Sequence, residues 1–284
     1  MIPDRELNAL FGLKYNPFVP GIPPEYIWQP PGIDVFATRV ESLLKYGGFA
    51  MISGEPGIGK SKSLQSLSTR LSRLNDVVVG IMQRPQSKMP DFYREMGDLF
   101  GVNLKPANRY GGFKALRERW KNHLKKTLYR PVLLIDEAQE VPTGCLNELR
   151  ILGSDNFDSH CLLTTVLCGD TRLPERFRFP DLLALGSRIR VRFRLDPYDP
   201  DQLIEYIDHS LMKAGAMHLM TDELKHTLAS HAAGNLRVLC GMASELLEIA
   251  VEKQLDRLDE KLFIETYSIR GKSFQRKKNM TTAQ

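Results

Sequence analysis

The feature that most constrains this chain is the octapeptide Gly54-Glu55-Pro56-Gly57-Ile58-Gly59-Lys60-Ser61, which fits G-x-x-x-x-G-K-[ST] at every fixed position. Its flanks suit it. Phe49–Ser53 is a short apolar run of buried-strand type, and Lys60–Asn75 reads as a helix with Leu64, Leu67, Leu71 and Leu74 on one face. Glycines at 54, 57 and 59 let backbone N–H groups curl inward around phosphate oxygens. Lys60 brings a point charge to the β and γ phosphates, and Ser61 offers a hydroxyl to magnesium. The helix that opens there turns its positive dipole end toward the phosphates. The expected ligands are therefore ATP and Mg2+. The loop Gly54, Glu55, Pro56, Gly57, Ile58, Gly59, Lys60 and Ser61, with Lys62 beside it, forms the cradle.

A second element, Pro131-Val132-Leu133-Leu134-Ile135-Asp136-Glu137, is a buried strand ending in two carboxylates. Asp136 is suited to hold magnesium with Ser61, and Glu137 to orient and deprotonate an attacking water. A nucleotide kinase needs no such second acid, because its nucleophile arrives on the substrate. The Asp-Glu pair therefore points to an ATPase, with Glu137 and Lys60 as catalytic residues.

Strand-like runs recur at Val77–Met82, Val132–Ile135, Cys161–Cys168 and Ile189–Leu195. Helical stretches at Ile33–Tyr46, Pro90–Phe100, Phe113–Leu128 and Thr143–Leu152 alternate with them. This alternation predicts an α/β fold, a mostly parallel sheet covered by helices on both faces. After Pro197 only helices follow: Pro200–Ala214, Thr221–Ala232, Leu236–Gln254 and Asp259–Ser268. The expected organisation is an extended proline- and aromatic-rich arm over residues 1–35, an α/β nucleotide-binding domain over 36–196, a helical lid over 197–268 and a basic tail over 269–284. Proline density in the arm argues against regular helix there, with Phe11, Tyr15, Phe18, Tyr26 and Trp28 as anchors on the core.

The 284 residues carry a formal charge of +5, and Arg270, Lys272, Arg276, Lys277 and Lys278 in the tail account for all of it. Only the distribution of charge can then speak for a polyanionic partner, and it is uneven. Lys105 to Arg130 holds nine Lys/Arg against Glu118 alone. Within it Leu116, Trp120, Leu124 and Leu128 recur every four residues as one buried face. Lys105, Arg109 and Lys114, with Arg84 and Lys88 after the second strand, are candidate DNA-binding residues reading backbone phosphates. A solvated helix face is the alternative for this strip. No apolar run reaches membrane-span length, and Cys145, Cys161, Cys168 and Cys240 show no metal-ligand spacing, so a cytoplasmic protein with free thiols and no membrane partner is expected.

Two arginines complete the picture. Arg188, in Gly186-Ser187-Arg188-Ile189-Arg190, lies between a helix and a strand, where it can project across a subunit boundary; Arg190 is the alternative. Arg237, in Gly234-Asn235-Leu236-Arg237, opens a lid helix and can reach back to a nucleotide.

With these four motifs the chain resembles AAA+ ATPases. Phe11-Gly12-Leu13-Lys14 followed by Pro17-Phe18 makes it similar to the ExeA-like branch, which includes secretion ATPases and transposition regulators of the TniB, TnsC and Mu B kind. The resemblance implies a P-loop NTPase fold and a homo-oligomer, ring or filament, with ATP at subunit interfaces. It also implies a sensor residue at the end of the strand Cys161–Cys168, where Asp170 stands. An acid at that place needs a compensating charge or a water. Secretion members carry a transmembrane segment and a cell-wall module that have no counterpart in this sequence. The expectation is therefore an ATP-dependent DNA-binding protein that regulates transposition by selecting duplex target DNA and recruiting a transposase. A secretion-assembly or remodelling ATPase, and a nucleotide switch without DNA, are the alternatives.

Overall fold

The computed structural model describes residues 4–104, 108–157 and 159–267. Lys105, Ser268 at the end of the expected lid, and the basic tail 269–284 lie outside the described residues. Along the chain run α1 (Asp4–Phe11), α2 (Ile33–Leu43), β1 (Gly48–Gly54), α3 (Lys60–Ser72) and β2 (Val79–Met82). Next come α4 (Met89–Phe100), α5 (Arg109–Leu124), β3 (Val132–Ile135) and α6 (Thr143–Gly153). The hairpin strands β4 (Ser154–Asp155) and β5 (His160–Cys161) lead to β6 (Thr164–Gly169), α7 (Arg172–Arg176), α8 (Pro180–Gly186) and β7 (Ile189–Leu195). The helices α9 (Pro200–Ala214), α10 (Asp222–Ala232) and α11 (Leu236–Glu252) follow.

Residues Gln29–Asp196 form one compact unit. The described strands of its main sheet number five and are all parallel, in the order β2-β3-β6-β1-β7. The side chains of β1 and β3 are buried throughout, as a sheet covered on both faces requires. Phe49, Met51, Leu133, Ile135 and Leu167 join one core with Phe92, Met96, Leu116, Trp120, Leu146 and Leu149 from α4, α5 and α6. The Asp-Glu strand is not the immediate neighbour of the P-loop strand. Strand β6 lies between β1 and β3 and carries its own end, Asp170, into the middle of the site.

Two readings of the sequence shift here. The apolar run Cys161–Cys168 divides, because Cys161 pairs antiparallel with Ser154 in the hairpin before Thr164 enters the main sheet. Helix α5 starts four residues earlier than its apolar pattern indicates, since the Asn108 side chain accepts from Gly111 N–H and caps it. It also stops at Leu124. Leu128, read as part of the buried face, is 82% exposed in the turn that leads to β3.

The other compact unit joins Met1–Trp28 to the chain from Pro197 onward. The first residues are not wholly extended: Asp4–Phe11, free of the prolines that crowd Pro17 to Pro31, is helical. Trp28 packs edge-on against Tyr198 and Tyr206, and Tyr15 stacks on Tyr26. The arm thus belongs with the helices rather than with the α/β sheet. An Asp199–Gln202 capping box opens α9, and Asn235 caps α11 by accepting from Arg237 and Val238 N–H. No described helix is long and apolar enough to cross a membrane.

Candidate functional site

The carboxyl ends of β1, β6 and β3 meet at one edge of the sheet, the edge at which open α/β sheets bind ligands. Gly57 and Gly59 adopt φ of 89° and 93°, left-handed values that let the loop after β1 turn sharply. Gly59 is also the cap of α3, which begins at Lys60. The Lys60 side chain is buried, and its ammonium folds onto the Glu55 carbonyl at 2.8 Å. Ser61 is exposed at the helix start. Lys62 lies half-buried, with its pKa lowered by burial and its ammonium near Gln65 Oε1 at 3.2 Å.

At the end of β3 the chain turns abruptly. Glu137 takes a left-handed conformation at φ 49°, uncommon for a residue with a side chain, and its N–H donates to Asp136 Oδ1 at 2.9 Å. Its carboxylate accepts from the Gln139 side-chain amide. Gln139 is buried, and its amide oxygen accepts from Asp170 N–H at 3.1 Å. Gly169 makes this bridge possible, because a Cβ there would lie 2.4 Å from Gln139 Oε1.

Asp170 finds its compensating charge in Arg172. The arginine donates from its backbone at 2.9 Å and from Nε at 2.8 Å, and reaches Glu140 with another N–H at 2.8 Å. Burial pushes the Asp170 carboxyl upward, but hydrogen bonds and charge from Arg172, with help from Lys60, hold it below the usual aspartate range. Arg176 ties the same turn down by donating to Gln139 O at 2.6 Å. Fully buried Cys168 lies beside Asp136, and burial together with that carboxylate raises its thiol pKa well above normal. It stays a neutral thiol under the acid.

Gly54 to Lys62, Asp136, Glu137 and Asp170 are thus brought together at one edge. Arg188 is not among them: it stands at the opposite, amino-terminal edge, where its guanidinium donates to Ala184 O. Arg237 lies exposed in the first turn of α11, in the helical unit. Of the candidate DNA contacts, Arg84 and Lys88 are exposed in the segment between β2 and α4, and Lys114 faces Glu118 at 4.0 Å. Arg109 forms an ion pair with buried Glu148, which also accepts from Tyr93 Oη. Arg117 and Lys121 of the same basic strip share Asp155. Sequence reasoning missed Gln139, Cys168, Arg172 and Arg176. A buriable amide two residues after Glu137, and an arginine two residues after Asp170, were the available signals.

The fold is the P-loop NTPase fold of the AAA+ type. Residues 43–177 match the AAA domain family. General secretion pathway protein A of Aeromonas hydrophila is 29% identical over 237 residues, which cover 82% of this chain and 42% of that protein. The chain therefore spans well under half the length of this curated relative. Among solved structures, the Aeropyrum pernix ORC2 protein, in ADPNP-ADP complexes, has a TM-score of 0.69 at 16% identity, covering 89% of this chain and 71% of its own. The Aeropyrum pernix ORC1 protein in complex with DNA has a TM-score of 0.65 at 17% identity, covering 90% and 68%. At such identities these likenesses establish the fold.

Proposed function

We propose that the chain is a magnesium-dependent ATPase that assembles with copies of itself on duplex DNA and regulates transposition by selecting target DNA and recruiting a transposase. One observation carries the assembling ATPase. The P-loop, Asp136, Glu137 and Asp170 share one edge of the sheet, while Arg188 stands at the other, about 20 Å away across the length of β1. An arginine so placed reaches the phosphates of a second copy rather than its own, and a site completed in this way turns over in the assembled state.

The residues present fit nucleotide and metal. Ser61 and Asp136 would hold Mg2+, which when bound neutralises charge on the phosphate oxygens. The curled amides after β1 and the buried Lys60 receive the phosphates, and Lys60 exchanges the Glu55 carbonyl for a phosphate oxygen. Glu137 accepts a proton from the attacking water, with Gln139 fixing its carboxylate. Asp170, neutralised by Arg172, orients through a water rather than repelling the γ-phosphate.

DNA as the partner is supported by the uneven charge, by the exposed Arg84 and Lys88, and by a fold neighbour solved in complex with DNA. A second reading, a secretion-assembly or remodelling ATPase, is favoured by the similarity to general secretion pathway protein A. ATP-dependent DNA binding separates the two. Under the first reading, ATP or a non-hydrolysable analogue produces salt-sensitive binding to duplex DNA, and negative-stain images show rings or filaments on it. No nucleotide-dependent DNA binding at low salt would remove the basis of the first reading and leave the second.

A further inference from the structure

Six residues, Gln83-Arg84-Pro85-Gln86-Ser87-Lys88, join β2 to α4. They carry two cations, two amides and a hydroxyl but no acid, and Gln83, Arg84, Gln86 and Lys88 are exposed. Exposed connections of this kind are ordinarily the mobile part of a fold. This one is held along its length. Ser87 N–H donates to the Arg84 carbonyl at 3.1 Å, closing a turn in which Pro85 pre-sets the backbone. The Ser87 carbonyl accepts from the buried Cys145 thiol at 3.5 Å, and the Lys88 carbonyl accepts from Phe92 N–H at 2.9 Å.

Glu95, half-buried on α4, completes the hold. One of its carboxylate oxygens accepts from Gln83 N–H at 2.6 Å and from Arg84 N–H at 3.3 Å. Among the described residues it makes no ion pair with Arg84 or Lys88, so the one acid set against this basic loop spends its charge on the backbone. Bonds of an ionised acceptor to amide N–H groups are of the stronger kind. The guanidinium and the ammonium are left for an outside anion, while the chain that carries them keeps one path. A polyanion meeting a loop already ordered does not bear the cost of ordering it. Arginine, lysine, amide and hydroxyl side chains are also the groups that contact phosphate backbones.

We infer that Glu95 is a positioning residue for polyanion binding: it fixes the loop from Gln83 to Lys88 so that Arg84 and Lys88 meet backbone phosphates of duplex DNA. This inference rests on the DNA reading above and adds to it the residue that orders the contact. It has a sign that bulk charge does not share. Taking away an acid next to DNA tightens binding if net charge alone matters. Taking away a positioning residue weakens it.

The test uses the full chain, one duplex DNA and a non-hydrolysable ATP analogue. Glu95→Ala is expected to weaken DNA binding by about 3- to 10-fold, although the chain becomes more positive. Glu95→Gln keeps an oxygen acceptor and is expected to bind within about threefold of the native chain. Amide hydrogen exchange at Gln83 and Arg84, resolved by NMR, reads the order of the loop without DNA and should quicken about tenfold in Glu95→Ala. Across the three chains, affinity should follow this protection. In a background of Arg84→Ala with Lys88→Ala, read at low salt, adding Glu95→Ala should cost no further affinity, because the groups it positions are gone. Nucleotide affinity and the urea midpoint are the controls, since the loop leaves the sheet beside Asp136, where Met82 pairs with Ile135. DNA binding by Glu95→Ala as tight as native, protection that survives the substitution, or an undiminished loss in the double-variant background would each overturn the inference. A native chain that binds no duplex is a different result, which removes the DNA reading and the inference with it.

Discussion

The Gln139 side-chain amide donates to the Glu137 carboxylate while its oxygen accepts from the Asp170 N–H, so a single buried residue links the turn at Glu137 to the end of the central strand. Glu137 sits in a left-handed conformation at that turn, and Arg176 holds the Gln139 carbonyl from the other side. The orientation of the Glu137 carboxylate is thus set by Gln139 and, through it, by Arg176.

Gln139→Leu is expected to lower ATP turnover by about 10- to 100-fold, the usual effect of removing a partner that orients a reactive group. Nucleotide affinity should stay within about threefold, because the phosphate cradle does not involve Gln139. Gly169→Ala should have the same signature, since its methyl would occupy the place of Gln139 Oε1. A Gln139→Leu enzyme with native kcat would show that Glu137 is oriented by other means.

The primary assignments separate in the same assay. Lys60→Ala should abolish nucleotide binding and assembly together. Glu137→Gln should keep ATP affinity, slow hydrolysis by about 10²- to 10⁴-fold and trap the assembled state. Normal turnover in Glu137→Gln would move the base elsewhere.

Asp170 makes a prediction about pH. Its folded-state pKa is depressed, because Arg172 and Lys60 outweigh burial, so its contribution to stability is present above the ordinary aspartate range. That contribution is lost as pH falls through the depressed value, within the acid limb below the ordinary range. Removing the Arg172 side chain leaves burial opposed by the backbone N–H of residue 172, which alanine keeps, and by Lys60. Arg172→Ala should then move the Asp170 midpoint upward, read from its side-chain carboxyl 13C shift. A midpoint that does not move would mean that Arg172 does not compensate this acid.

Much of this was legible in the sequence. The glycine loop, the apolar run before Asp136 and Glu137, and β7 announce themselves because each is a local pattern with one physical solution. The order of the strands was not legible. Nothing local in Thr164–Gly169 says that this strand inserts between β1 and β3, since that is decided by crossover connections. Gln139 was hidden for a related reason: its partners, Glu137 and Asp170, are brought together only by that insertion. Cys161 of the β4–β5 hairpin was read into the run Cys161–Cys168, because the apolar residues from Cys161 onward carry no mark where β5 ends and β6 begins.

The revised end of α5 can be checked by stability. Leu116 is fully buried in the core, so Leu116→Ala should cost about 2–5 kcal/mol in urea unfolding. Leu128 lies exposed beyond the helix, so Leu128→Ala should stay within about 0.5 kcal/mol. Equal losses at both positions would restore the four-residue stripe read from the sequence.

The charge map can be divided in the same spirit, because its members do different jobs. Arg109 pairs with Glu148, a carboxylate 4% exposed that also accepts from Tyr93 Oη. Arg109→Ala removes a charged donor from a buried acceptor and should lower stability by about 1–3 kcal/mol, toward the lower end because Arg109 itself is largely solvated. Its effect on DNA affinity should be small once folding is accounted for. Arg84 and Lys88 make no described ion pair, so Arg84→Ala with Lys88→Ala should leave stability within about 0.5 kcal/mol. If both reach phosphates, the slope of log K against log salt should fall by about 2. An unchanged slope, measured with ATP present on one duplex, would take the segment between β2 and α4 out of the DNA contact and return the question to the rest of the surface.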